Sequence, residues 1–129
     1  MKYSIIVLLI LIFIFMGYTQ MQKKETDSYQ QISMKEAEDL MKTETGYLIL
    51  DVRTPKEFAQ GHIPDAINVP NETIGKKEIR QLPDKDQKIL VYCRSGNRSK
   101  QAAKKLVKLG YTDIIEFGGI IDWTGKTEK

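Results

Sequence analysis

The hydrophobic positions of this chain fall into one long unbroken run and several short ones, separated by polar stretches in which apolar residues recur every three or four places. The long run, residues 5–16, holds twelve apolar residues behind Met1-Lys2 and ahead of Gly17-Tyr18-Thr19-Gln20. As a helix it would rise about 18 Å, well short of the roughly 30 Å hydrocarbon core of a bilayer, and it has the length of a secretory h-region, about 7–15 residues. Residues 1–21 therefore read as a signal peptide. No Ala-x-Ala cleavage site follows, so a short membrane anchor through residues 1–18 is the alternative. A buried core helix is disfavoured, because nothing else in so small a chain could cover a helix that is apolar all round.

Residues 22–30 are polar and read as a linker. Ser33-Met34-Lys35-Glu36 is a capping box, and Met34, Ala37, Leu40 and Met41 form a helical stripe that should stop near Gly46. Residues 47–52, apolar but for Asp51, predict a strand buried on both faces of a parallel sheet. Thr54-Pro55-Lys56-Glu57 is a second capping box with proline at the first helical position, and Gly61 is placed to end that short helix. Residues 66–69 predict a short strand, residues 71–82 a poorly periodic helix or loop, and residues 83–86 a turn. Residues 88–92 predict another buried strand, which delivers Cys93 at its carboxyl end. Over residues 99–109, Ala102, Ala103, Leu106 and Leu109 form an inner helical face and Lys100, Lys104 and Lys108 an outer one, with Gly110 at the C-cap. Residues 114–117 predict a last strand, Gly118-Gly119 a turn, and residues 120–123 a half-buried terminal turn. Strands alternating with helices in so short a span imply an α/β fold, a three-layer sandwich around a small, mainly parallel sheet.

With 129 residues the chain has room for one domain, which excludes channels, multidomain machines and repeat arrays. A composition of 41% hydrophobic and 29% charged residues is that of a globular protein. The formal charge of +3 belongs partly to the leader: beyond residue 21 there are 19 Lys and Arg against 17 Asp and Glu. Nucleic-acid binding is not expected, since it would need clustered bases interleaved with aromatics. The single cysteine can form no disulfide within the chain. An exported free thiol must be buried and inert, paired with another molecule, or chemically employed.

Sites in open parallel sheets form beyond the carboxyl ends of the strands, and two such ends carry chemistry here: Asp51-Val52-Arg53 and Cys93-Arg94-Ser95-Gly96-Asn97-Arg98-Ser99. In the second, inward backbone amides and the positive end of the following helix favour thiolate over thiol, as do Arg94 and Arg98. Small and charged residues beside Cys93 suit an anion cradle and not a core. Asp51 is placed to orient an arginine or the loop. Arg53 and Glu57, four apart, read as a local ion pair, and His62, in Gly61-His62-Ile63-Pro64, reads as a turn residue and not as a proton relay.

On these residues the chain resembles a single-domain rhodanese of the thiosulfate sulfurtransferase family. The likeness lies in residues 50–58 (Leu50-Asp51-Val52-Arg53 onward), residues 61–70 from Gly61-His62-Ile63-Pro64, the loop from Val91 to Ser99, and the closing Gly118-Gly119-Ile120-Ile121-Asp122-Trp123. The family pattern allows Gly at the position of Asp65. The resemblance covers residues 31–125, a rhodanese-like domain followed by a polar tail at 126–129, and it implies a rhodanese-like sandwich.

It further implies that Cys93 is the nucleophile that cycles through a persulfide, with no cofactor beyond that covalent intermediate. Arg98 would be catalytic with it, closing the loop. Arg94, Ser95, Gly96, Asn97 and Ser99 would bind substrate, and Asp51 and Arg53 would support them. The implied partners are a small anionic sulfur donor such as thiosulfate and a thiophilic acceptor such as cyanide, a thiol or a protein. Related phosphatases use a loop one residue longer, whereas Cys93 to Arg98 spans six residues. The competing classes are a persulfide carrier or binding module, and a phosphatase or arsenate reductase. A monomer is expected, exported to the periplasm or the cell exterior, or anchored to the outer face of the cytoplasmic membrane.

Overall fold

The computed structural model describes residues 2–25 and 28–129; Met1 of the expected leader and residues 26–27 of the expected linker lie outside the described residues. Helix α1, Lys2–Glu25, runs through the long apolar stretch into the expected linker. Its apolar side chains from Ile5 to Met16 are between 46% and 76% exposed, so they take no share in the core. Among the described residues no helix is both long and apolar enough to cross a membrane.

The remaining elements are β1 (Gln30–Gln31), α2 (Met34–Thr43), β2 (Tyr47–Asp51), α3 (Pro55–Ala59), β3 (Ile67–Asn68), β4 (Lys88–Cys93), α4 (Asn97–Lys108) and β5 (Ile114–Gly119), with 3-10 turns at Asn71–Thr73 and Ile120–Asp122. Both capping boxes form: Ser33 Oγ accepts from Glu36 N at 3.1 Å, and Thr54 Oγ1 from Glu57 N at 3.2 Å, each acid reaching back to the cap amide. These bonds satisfy amides that a helix start leaves unpaired.

The strands form one parallel sheet in the order β1-β5-β4-β2-β3. Alternation along them fills two cores. Leu50, Ile89, Val91 and Ile114 pack with Ala102, Ala103 and Leu106 of α4. Ile49, Leu90, Tyr92, Ile115 and Phe117 pack on the other face with Ala37 of α2 and, less buried, Phe58 of α3. This is the three-layer α/β sandwich, and covering both faces is why its strands read as continuous apolar runs.

Three local differences from the sequence reading bear on function. Gln30, expected at the end of the linker, pairs with Ile115 as part of an edge strand that Gln31 continues against Glu116. Gly118 and Gly119 are not a turn after β5 but its bulged end: Val91 pairs with Glu116 and Cys93 with Gly119, so β5 carries one extra residue there, and Gly118 takes φ 96°. The segment 126–129 is not a loose tail. Glu128 pairs antiparallel with His62 through two backbone bonds of 2.9 Å, and its Oε1 accepts from Asp65 N at 2.7 Å. Asp65 sits at φ 68°, a left-handed conformation that glycine adopts freely.

Candidate active site

Strand β4 ends at Cys93, and Gly96, three residues on, is the N-cap of α4 at φ 111°. That conformation turns the chain hard enough for the Gly96 amide to donate to Cys93 Sγ at 3.0 Å. Among the described residues it is the one backbone amide of the loop that hydrogen-bonds to the sulfur. Cys93 and Ser99 are buried, whereas Arg94, Ser95 and Asn97 are exposed along the outer side of the loop.

The floor under the loop comes from β5. A Cβ on Gly119 would fall into the carbonyl of Arg94 and against Ser95 N, so the loop can lie on this strand end only because residue 119 has no side chain. The Arg94 carbonyl also accepts from Ile121 N at 3.3 Å.

Asp51 and Arg53 meet on the opposite face of the sheet. The Arg53 guanidinium grips the fully buried Asp51 carboxylate, with Nη2 to Oδ2 at 2.7 Å, and its Nη2 also donates to Gly61 O at 2.8 Å. Tyr92 Oη donates to Asp51 Oδ2 at 2.7 Å and accepts from Ile63 N at 3.1 Å. Burial opposes the Arg53 charge, but the hydrogen bonds and charge of Asp51 outweigh it and raise its pKa. Burial, then the bond to Asp51, pushes the Tyr92 hydroxyl up and keeps it protonated. Asn68 ties the loop in by donating to the carbonyls of Asp51 and Arg53.

The expected Arg53–Glu57 pair is replaced by two others. Asp51 is nearer and shares a buried site with Arg53, while Glu57 turns to Arg98, which donates Nη1 to Oε1 at 2.6 Å and Nη2 to Oε2 at 3.0 Å. Hydrogen bonds from Arg98 lower Glu57 to about 2, with Thr54 assisting and burial opposing. Arg98 is thus clamped to α3, and it is Arg94 that makes no ion pair among the described residues. Arg94 lines a cleft of about 520 Å³ with Arg53, Glu57, Gln60, Gly61, Ile120 and Ile121.

His62 stacks on Phe58 at 3.8 Å and has Nδ1 2.9 Å from Ile63 O, contacts that hold a turn. The residue missed by the sequence reading is Glu116, 3% exposed and bonded to Ser99. An acid inside the apolar run of β5 was the available signal.

The rhodanese-like domain family matches this chain over residues 33–126. A sulfurtransferase of Allochromatium vinosum is 46% identical over 77 residues, 59% of this chain and 70% of that protein. The thiosulfate sulfurtransferase PspE of Escherichia coli is 37% identical over 73 residues, covering 57% and 70%. Among solved structures, a rhodanese with anions from E. coli superimposes with a TM-score of 0.59 at 34% identity, over 64% of this chain and 98% of that one.

Proposed function

This chain belongs to the rhodanese-like family, and on that premise we propose that it moves sulfane sulfur from a small anionic donor, thiosulfate or a close relative, to cyanide or a thiol through a persulfide on Cys93. The observation that carries the reading is the sulfur itself, set at the end of β4 with the Gly96 amide 3.0 Å away and the N-terminus of α4 beyond it. Negative charge is favoured at such a place. Cys93 thiolate attacks the outer sulfur of thiosulfate, a new S–S bond forms, the old one breaks, and sulfite leaves with the electron pair. The acceptor then attacks the outer sulfur and the Cys93 thiolate departs. Arg94, unpaired at the cleft, draws the donor in, and Arg98 acts by tying α4 to Glu57.

The cleft favours this over phosphate-ester hydrolysis. Glu57 is the one acid lining it among the described residues, and a carboxyl held at about 2 by Arg98 has no proton to give a leaving oxygen at neutral pH. Sulfite needs none. Ile121, 61% exposed on the rim, favours a second reading in which the acceptor is a thiol on a protein. We further propose that residues 1–21 export the domain and are removed. Amino-terminal sequencing of the protein from its host should begin after the apolar run; retention of residues 1–16 in a membrane fraction overturns this.

Intact mass before and after thiosulfate, then after cyanide, tests the activity. The chain should gain one sulfur atom and lose it again, and Cys93→Ser should gain none. Phosphate release without thiocyanate formation would falsify the reading.

A further inference from the structure

We propose that Arg53 is a second substrate-binding arginine, whose Nη1 amino group faces the cleft beside Arg94 and holds the oxygen-bearing end of the sulfur donor. The identity of that donor rests on the sulfur-transfer reading; the capture of an oxyanion does not. A guanidinium carries five N–H bonds in a fixed fork, and three of those of Arg53 are spent inside the protein. Nε donates to the Asp51 carboxylate at 3.0 Å, while Nη2 reaches Asp51 Oδ2 at 2.7 Å and Gly61 O at 2.8 Å. Nη1, with two hydrogens, has no acceptor among the described residues. Yet among those residues no fully buried polar side-chain atom lacks a partner, so Nη1 is the corner of the guanidinium that solvent touches. The side chain is only 7% exposed, and the space it opens onto is the cleft it lines with Arg94, Glu57, Gly61 and Ile120.

The fold fixes that corner in place. Asp51 of β2 pairs with Tyr92 of β4, so Arg53 leaves its strand beside the point where Cys93 ends the next one. Asp51 accepts from the Arg53 backbone amide at 2.9 Å as well as from its side chain, and Tyr92 Oη donates to the same carboxylate. A donor held this firmly before a ligand arrives gives up little side-chain freedom on binding. Among the described residues the charged groups at the cleft form two closed pairs, Arg53 with Asp51 and Glu57 with Arg98, and leave one open charge, Arg94. Arg94 therefore supplies the attraction an anion feels at range, and Arg53 the short, directed hydrogen bonds to its oxygens. In the proposed pose the oxygens of thiosulfate rest on both arginines and its outer sulfur points to Cys93. When the S–S bond breaks, the charge left on sulfite falls on the same donors. Lysine cannot do this work: its one ammonium meets Asp51 and has no second nitrogen to send to the cleft.

Binding is separated from transfer in the full chain carrying Cys93→Ser, which can hold thiosulfate but not take its sulfur. In calorimetric titrations with thiosulfate, adding Arg53→Lys should weaken the affinity about tenfold or more, the loss expected for charge-assisted hydrogen bonds to an anion. Adding Arg94→Ala instead should also weaken it, but that loss should shrink as salt is raised, because an exposed charge is screened, while the Arg53 loss persists. Arg53→Lys keeps a cation against Asp51, and its melting curve shows whether the fold is intact. If the fold is lost, nitrogen-15 spectra of the guanidinium groups in the Cys93→Ser chain decide instead. The chain has four arginines, and Arg80→Lys, Arg94→Lys and Arg98→Lys identify three signals and leave that of Arg53. Thiosulfate should shift the Arg53 signal and leave that of Arg80 in place. An unchanged affinity in folded Arg53→Lys overturns the proposal, as does an Arg53 signal that thiosulfate does not move. Either result in a chain whose parent loads sulfur strikes the role of Arg53 alone. A chain that binds thiosulfate through Arg53 yet gains no sulfur mass strikes the transfer reading alone.

Discussion

At the scale of single residues, the two arginines of the loop divide the work differently from their spacing. Arg94 is exposed and unpaired in the cleft, so Arg94→Ala should raise the thiosulfate concentration needed for half-maximal rate and weaken the salt dependence. A persulfide already formed should still discharge to cyanide at the parent rate, which single-turnover kinetics will show. Arg98 is gripped by Glu57, and Arg98→Ala should lower transfer by about 10²-fold, because the start of α4 beside Cys93 is then no longer tied to α3. Because the pair acts as a unit, adding Glu57→Gln to Arg98→Ala should cost little more. The pair also sets a pH dependence. Glu57 falls from an ordinary 4.5 to about 2, so its stabilisation is full above about 4.5 and disappears as pH falls through about 2. The gap in unfolding temperature between the parent and Glu57→Gln should be widest near neutrality and close across that acid range.

At the scale of elements, the loop from Cys93 to Ser99 depends on the strand end beneath it as much as on its own residues. Gly119 has no room for even one carbon beside the Arg94 carbonyl, so Gly119→Ala must displace either β5 or the loop. The variant should lose most of its transfer activity and unfold at a lower temperature, by the amount an overpacked buried site costs, about 1–3 kcal/mol. Gly96→Ala meets only Gly118 Cα at an ordinary 3.8 Å, but its φ of 111° disfavours any side chain, and it should loosen the amide that reaches Cys93. Alkylation rates of Cys93 compared with melting curves separate the two effects.

At the scale of the whole molecule, the chain closes on itself at one end and is open at the other. Removing residues 126–129 frees the His62 turn and the Asp65 amide, and should lower the unfolding temperature by roughly 10 °C or more, since it deletes these backbone and carboxylate bonds together and each is worth about 1 kcal/mol. Removing residues 1–15 should leave the melting temperature unchanged, because the apolar side chains of α1 from Ile5 to Phe15 are outside the core. Local chemistry made much of this legible in the sequence. Ser33 with Glu36 and Thr54 with Glu57 marked their helices because capping bonds span three residues, and the two-sided runs of β2 and β4 marked a covered parallel sheet because both faces need apolar side chains. Cys93 in a loop of small and charged residues announced itself for the same local reason. What tertiary structure alone decided were contacts between distant positions. Glu57 reaches Arg98 across 41 residues, Glu116 reaches Ser99 across 17, and Glu128 returns to His62. An acid's partner is whichever donor the packed sheet brings within about 3 Å, and spacing along the chain carries no record of that distance.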